Sequence, residues 1–262
     1  MTDRPNSLET WRLGLSGGIG LLTLVMTALI RVGSSSHKIA RAVTIATGLA
    51  AVQFAAIVAS ANVSAAPRAA AIHLGATALL LATLVYVLSV VVHRPSVVGR
   101  TRDRTARNDA DLTRVRWLVA TTSLALFGVL VSGAYYTSSP VGVACTRWPT
   151  CGNEVTISSV LRPDLAMFHR ELVILTGFLL LGVAIAALRA ARDSTAIRWL
   201  VRLLLAAYVA EVAIGGWSAT RGYSDVADGM HFAVAGVVWV LLGGFAILIS
   251  DGISGTRTGT GT

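Results

Sequence analysis

Seven long apolar stretches dominate this 262-residue sequence and constrain its fold more than any other feature. Each has about the 20 residues that a helix needs to cross the apolar core of a bilayer. A helix satisfies its own backbone polar groups, which a lipid-exposed loop cannot do. The sequence therefore predicts an all-α, polytopic membrane bundle of about seven transmembrane helices. The stretches cover approximately residues 11–31, 39–60, 68–93, 115–138, 166–188, 197–219 and 226–250.

The charged residues indicate how such a bundle would be oriented. They make up 13% of the chain, about half of the share in a soluble domain, which excludes an ordinary soluble enzyme and a disordered chain. Fourteen of the 22 basic residues fall in loops 31–41, 94–116 and 189–198 and in the tail. Because cytoplasmic loops are enriched in Lys and Arg, we predict a multi-pass plasma-membrane protein with its N-terminus outside and its C-terminus in the cytoplasm. The net charge of +9 is thereby explained by topology, so the expected partner is the lipid bilayer and not nucleic acid.

A weak internal repeat divides the chain. An offset of 158 residues superposes the first three stretches on the last three and pairs His73 with His231 and Gln53 with Glu211. Because rare polar residues coincide, we predict pseudo-duplicated halves of three and four helices. The predicted parts are a degenerate three-helix half at 1–93, an Arg-rich cytoplasmic linker at 94–116, a four-helix half at 117–250 and a disordered tail at 251–262.

Histidines at matching depth point to a cofactor. His169 and His231 each lie about one turn inside the outer end of an apolar stretch. Two imidazoles at one depth suit axial ligation of a haem iron; the alternative is a pair of interfacial histidines with ordinary hydrogen bonds. His73 is the repeat copy of His231, but Trp11 stands where its own partner would be. The first half then holds no haem, a five-coordinate haem or a haem with an unidentified second ligand.

Charged residues near that depth are candidates for supporting roles. Asp228 precedes His231 by one helical turn and could accept its second ring N–H, or it could simply favour the helix N-terminus. Glu211 lies roughly 12 Å deep at 1.5 Å per residue. A carboxylate at that depth is costly unless it is paired or protonated, so Glu211 could contact a ligating histidine, carry a proton or bond between helices. Haem propionates could meet outer arginines, for which ordinary loop charge is the alternative; the candidates are Arg170, Arg221, Arg162 and Arg12.

The outer loop after the fourth stretch carries a Cys145–Cys151 pair around Trp148 and Pro149. This spacing is not that of a zinc finger. The outer side of a membrane is oxidising, so a disulfide is compatible with the pair, and a redox role also stays open.

The wider motif resembles one family. A Gly-containing segment at 133–142 precedes the cysteine loop, His169-Arg170 follows it, and Gly215-Gly216 precedes His231. The combination resembles the haem A synthase family, well over 115–250 and weakly over 11–93. Members of that family have eight helices in two four-helix halves, each framing a haem between two histidines. One haem is the substrate haem O and the other is a b-type cofactor.

The resemblance implies a function and a set of roles. It implies an oxidoreductase that converts a methyl group of haem O to the formyl group of haem A, for cytochrome oxidase. It assigns haem-ligand positions to His169, His231 and His73, and a loop disulfide to Cys145 and Cys151. Haem O synthase and cytochrome oxidase subunits become the expected protein partners.

Departures from the family pattern motivate other hypotheses. The family often has Glu where this sequence has Ala166, an Arg where it has Thr137 and a Gly where it has Pro140. Trp11 replaces an axial histidine, and the chain has one apolar stretch fewer. A non-catalytic, haem-binding assembly factor for the oxidase is therefore a second hypothesis. A bis-histidine cytochrome b that reacts with quinol is a third, on ligand geometry alone, and a transporter without haem is a fourth.

Overall fold

The computed structural model describes residues 25, 28, 37–60, 66–92, 106–139, 148–149, 165–190, 194–221 and 225–254. These residues form six helices and, within those ranges, no strand, which confirms the predicted all-α membrane bundle. Apart from two of its residues, the first predicted stretch lies outside the described part of the chain, so the count of seven stays a prediction. The helices are α1 (His37–Ala59), α2 (Ala66–Val92), α3 (Ala106–Thr137), α4 (Leu165–Ala190), α5 (Thr195–Arg221) and α6 (Asp225–Ser254).

Five of these helices are long and apolar enough to cross a membrane, namely α1, α2, α3, α4 and α6. The remaining helix, α5, has 27 residues but includes several charged ones. Among them, the guanidinium of Arg202 lies 5.4 Å from the ring centre of Trp199, a cation–π contact.

The outer surface of the bundle is apolar. Trp117, Leu124 and Phe178 are each at least 70% exposed. Exposed apolar side chains in such numbers would make a water-soluble bundle aggregate, whereas in a bilayer they contact acyl chains. The surface therefore agrees with the hydropathy of the helices.

Consecutive helices pair as antiparallel hairpins: α1 with α2, α3 with α4, and α5 with α6. In each pair the last part of the first helix lies beside the first part of the second. The start of α2 (Ala66), the end of α3 (Thr137) and the start of α6 (Phe232) line one cavity, so they lie at the same end of the bundle. Since α2 and α3 are therefore antiparallel as well, the turns of all three hairpins lie at one end of the bundle.

The helices from α2 to α6 share one apolar core, in which Phe245 and Leu242 are fully buried. Trp239 on α6 joins this core and donates a hydrogen bond from Nε1 to the carbonyl oxygen of Ala78 on α2, at 2.6 Å. Its ring centroid lies 6.1 Å from that of Phe127 on α3. Trp239 thus connects the first hairpin with the other two.

Two helix ends differ from the predicted boundaries. The helix α3 begins at Ala106, within the segment predicted as linker, and α6 continues to Ser254, into the predicted tail. Polar residues can extend a helix beyond the apolar core because water solvates their side chains, and here they do so although 106–114 and 251–254 include weak helix formers such as Asn, Asp and Gly. Hydropathy marks the membrane core and not the helix end, so it places both boundaries too close to the core.

Candidate functional site

His169 is seated against a glycine of the neighbouring helix. A Cβ atom placed on Gly133 of α3 would lie 2.9 Å from Cε1 of His169 on α4, closer than real Cβ contacts come. Only glycine leaves this space open. The Nδ1 atom of His169 lies 3.2 Å from Oγ of Ser132, and Oγ is also 3.1 Å from the carbonyl oxygen of Val129. If Ser132 donates its proton to that carbonyl, its oxygen accepts from Nδ1–H of His169.

His231 has the same kind of seat. A Cβ on Gly215 of α5 would lie 2.7 Å from Cε1 of His231 on α6. The Nδ1 atom of His231 lies 3.0 Å from Oε1 of Glu211, with the two side chains 23% and 12% exposed. The two groups are in ion-pair contact, although the ring is not aligned for a well-formed hydrogen bond. The close contact follows from the helix register, because Glu211 lies one turn before Gly215 on α5.

The two imidazoles share the features that a haem ligand needs. In both rings the Nδ1 atom lies beside an oxygen atom. This arrangement favours a proton on Nδ1 and a lone pair on Nε2. Two imidazoles, each packed on a glycine and each with an oxygen atom beside Nδ1, lie at one end of the bundle, and this donor set fits a six-coordinate haem iron. Within the described ranges, no cluster of three or more His, Cys, Asp or Glu side chains is present.

The acidic residue predicted beside His231 has a different neighbour. Asp228 accepts a hydrogen bond at 2.6 Å from Oγ of Ser218, which is buried on α5. This bond links α5 to α6 close to their turn. Arg221, a propionate candidate, is exposed at the end of α5 on the same side of the bundle.

A short loop segment, residues 148–149, contacts two helices at this end of the bundle. The indole of Trp148 lies on Gly216, where a Cβ would be 3.1 Å from its Cε2 atom. The carbonyl oxygen of Pro149 accepts a hydrogen bond from Nη1 of Arg170 at 3.1 Å. We call residues 148–149 with these two contacts the loop clasp. Arg170, predicted to bind a propionate, therefore also holds the loop.

His73 lines a separate cavity of about 640 Å³ between α1, α2 and the ends of α3 and α6. Its walls include Ser60, Thr137 and Phe232. The Nδ1 atom of His73 lies 3.4 Å from the backbone carbonyl oxygen of Gln53. Like His169 and His231 in their own hairpins, His73 lies in the first part of the second helix of its hairpin, which is the first hairpin. It faces a mainly apolar space.

Several predicted residues lie outside the described part of the chain: Cys145, Cys151, Arg12, Arg162 and Trp11. Ala166, which stands where the resembling family often has Glu, is 1% exposed and packs with Tyr136 and Leu165. Sequence reasoning did not assign roles to Gly133, Gly215 and Ser132. The glycines stood in recognised Gly-containing motifs, but one sequence does not reveal which ring packs on which glycine.

Comparison with known proteins gives one family match. The sequence profile of COX15-CtaA, described as "Cytochrome oxidase assembly protein", matches residues 12–243. A Protoheme IX farnesyltransferase of Halobacterium salinarum is 29% identical over 129 residues, which are 49% of this chain and 28% of that protein.

Two further relatives are Heme A synthases. Those of Geobacillus kaustophilus and Geobacillus thermodenitrificans are each 28% identical over 124 residues, which are 46% of this chain and 39% of theirs. The matched segments thus span well under half of the length of these curated relatives.

Proposed function

Because the chain belongs to the COX15-CtaA family of cytochrome oxidase assembly proteins, we propose that it is a haem A synthase-like membrane oxidoreductase. It holds a haem, either a b-type cofactor or haem O, between His169 and His231, and it converts haem O to haem A for cytochrome oxidase. The observation that carries this proposal is the matched seating of the two imidazoles on Gly133 and Gly215. The similarity to Heme A synthases supports the reaction.

The residues of the chain would share the work as follows. His169 and His231 supply the ligating nitrogens, while Ser132 holds the Nδ1 side of the first ring. The loop clasp closes the end of the bundle above them and limits access of water. The chemistry that a bound haem supplies is one-electron oxidation and reduction at its iron.

The ligand assignment is tested by measuring haem per chain. We expect a pyridine haemochrome spectrum of the purified protein to report haem, and His169→Ala and His231→Ala each to remove the six-coordinate species. His37→Ala is the matched control, because His37 is the first residue of α1, at the opposite end of the bundle, and we expect it to keep the wild-type spectrum. A six-coordinate spectrum that survives in His169→Ala and His231→Ala would refute the assignment.

The reaction is tested separately. Co-expression with a source of haem O, followed by chromatography of the extracted haems, should yield haem A from the wild type and not from His231→Ala. A folded, haem-loaded wild-type protein that yields only haem O would overturn the enzymatic proposal while leaving the haem site intact.

Ala166 favours a second candidate function, that of a non-catalytic assembly factor. Its position is buried with Tyr136 and Leu165, and it offers no carboxyl group for chemistry. This function predicts bound haem without haem A formation, and a stable complex with oxidase subunits in mild detergent. The absence of that complex would count against it.

The similarity to a Protoheme IX farnesyltransferase suggests a protein partner for this chain. That relative is named for the transfer of a farnesyl group to protohaem IX, and we propose that such a transfer supplies the haem O. We propose that this chain works beside such an enzyme in the plasma membrane, with its N-terminus outside and its C-terminus in the cytoplasm. Recovery of the two proteins together from mild detergent is the expected result.

A further inference from the structure

A carboxylate is held deep in the second half, against a proposed haem ligand. Oε1 of Glu211 is 3.0 Å from Nδ1 of His231, and the Glu211 side chain is only 12% exposed. The other oxygen, Oε2, is buried without a hydrogen-bond partner among the described residues. An apolar residue would avoid the desolvation of this group, so its presence needs a compensating role.

The first hairpin contains the neutral counterpart of this contact. The offset of 158 residues that pairs His231 with His73 pairs Glu211 with Gln53. In the structure, Nδ1 of His73 indeed lies beside this residue, at 3.4 Å from its backbone carbonyl oxygen. The same position on the preceding helix therefore contacts the imidazole in both hairpins, but through a side-chain carboxylate in one and through a neutral backbone carbonyl oxygen in the other.

Other polar groups near His231 or Glu211 form hydrogen bonds with other residues. Asp228 accepts from Ser218 at 2.6 Å. The hydroxyl of Tyr208, one turn before Glu211, donates to the carbonyl oxygen of Val173. Within the part of the chain that the structure describes, Glu211 is the carboxylate in ion-pair contact with His231.

We propose that Glu211 is a positioning residue that sets the reduction potential of the haem bound through His231. Its carboxylate keeps the proton of His231 on Nδ1, which leaves Nε2 as the ligating atom and makes the imidazole a stronger electron donor. A stronger donor stabilises the oxidised iron, so the potential is lower than a neutral partner would give. The backbone carbonyl oxygen of Gln53 is such a neutral partner of His73 in the first hairpin. The inference rests on the proposed ligation by His169 and His231.

The test is a redox titration of purified, haem-loaded protein carrying Glu211→Gln. The amide keeps a neutral oxygen atom beside Nδ1–H, so we expect wild-type haem content and a six-coordinate optical spectrum. The midpoint potential should move upward, because the charged acceptor is gone. Glu211→Asp retains the carboxylate and should return the potential toward the wild-type value. A merely structural role would change stability without this pattern.

The matched control is Glu171→Gln. It makes the same chemical change on α4, two residues after His169, at an exposed side chain. We expect its potential to equal that of the wild type. An equal upward shift in both variants, or an unchanged potential in Glu211→Gln, would overturn the proposal.

Loss of haem from a variant needs a separate interpretation, because no potential can then be measured. If Glu211→Gln binds no haem, the result for Glu211→Asp tests the proposal. Haem bound by Glu211→Asp at the wild-type potential supports the proposal, and loss of haem from Glu211→Asp as well refutes it. A wild-type protein without haem would instead refute the proposed function. Measuring the wild type first therefore separates the two failures.

Discussion

Two imidazoles of this protein occupy space that only glycine leaves open. His169 lies on Gly133 and His231 lies on Gly215, each at a distance that a Cβ atom would violate. In both hairpins the glycine is on the first helix and the histidine is near the start of the second. A ring held in this way has few orientations, which reduces the entropy lost when its nitrogen binds a metal.

Gly215→Ala should therefore displace His231. The added methyl group would lie 2.7 Å from Cε1, so the ring must move away from its seat and from Glu211. Overpacking typically costs about 1–3 kcal/mol, equivalent to about 5- to 150-fold weaker haem binding at 1.4 kcal/mol per factor of ten. Haem titration of the purified apoprotein measures this loss.

Gly182→Ala is the control for that experiment. A Cβ at Gly182 on α4 meets nothing within 4 Å. Alanine there should keep haem binding and raise stability by about 0.5–1 kcal/mol through helix propensity. Equal haem affinity in the two variants would show that the seat at Gly215 is unimportant.

At the scale of elements, the loop clasp connects three segments. Trp148 rests on α5 through Gly216, and Pro149 is bonded to Arg170 of α4. These contact residues directly follow Gly215 and His169 along the chain. Because neighbouring helical residues point about 100° apart, one residue faces the ring inside and the next faces the loop outside.

Trp148→Ala should loosen the cover over the site. We expect haem to pass to apomyoglobin several-fold faster than from the wild type, because the indole no longer blocks the helix ends. Trp117→Ala is the control, since Trp117 is 71% exposed and lies near the opposite end of the bundle. An unchanged transfer rate in Trp148→Ala would mean that the clasp does not limit exit.

At the scale of the molecule, one indole joins the first hairpin to the rest. Trp239 donates to the carbonyl oxygen of Ala78 and packs near Phe127. Trp239→Phe keeps a ring in the core but removes the donor, and such a hydrogen bond contributes about 0.5–1.5 kcal/mol. We expect the free energy of unfolding in detergent to fall by at least that amount, because the smaller phenyl ring also leaves part of the indole's space empty. Trp199→Phe, at a 57% exposed position, should leave it nearly unchanged.

Hydropathy predicted the helices well and the contacts poorly. The thickness of a bilayer sets the length of an apolar run, so six predicted stretches recur as α1–α6 with small shifts at most ends. Helical spacing placed Asp228 above His231, since residues three apart share a face. The structure puts Glu211, the other residue predicted as a candidate for contact with a ligating histidine, beside that ring. Glu211 belongs to another helix, and its contact depends on how α5 is rotated against α6, which one sequence does not reveal.

The pair Gly215-Gly216 has a consequence for engineering. Replacing helical glycines by alanine is a common route to thermostability, with each replacement contributing up to about 1 kcal/mol. Alanine would not stabilise these two positions, because Gly215 contacts the imidazole of His231 and Gly216 contacts the indole of Trp148, each too closely to leave room for a Cβ atom. Other positions of the α5–α6 hairpin remain open to such replacements. Near its turn, however, α5 must keep two residues of low helix propensity so that a ring from the next helix and a ring from the preceding loop can reach its backbone.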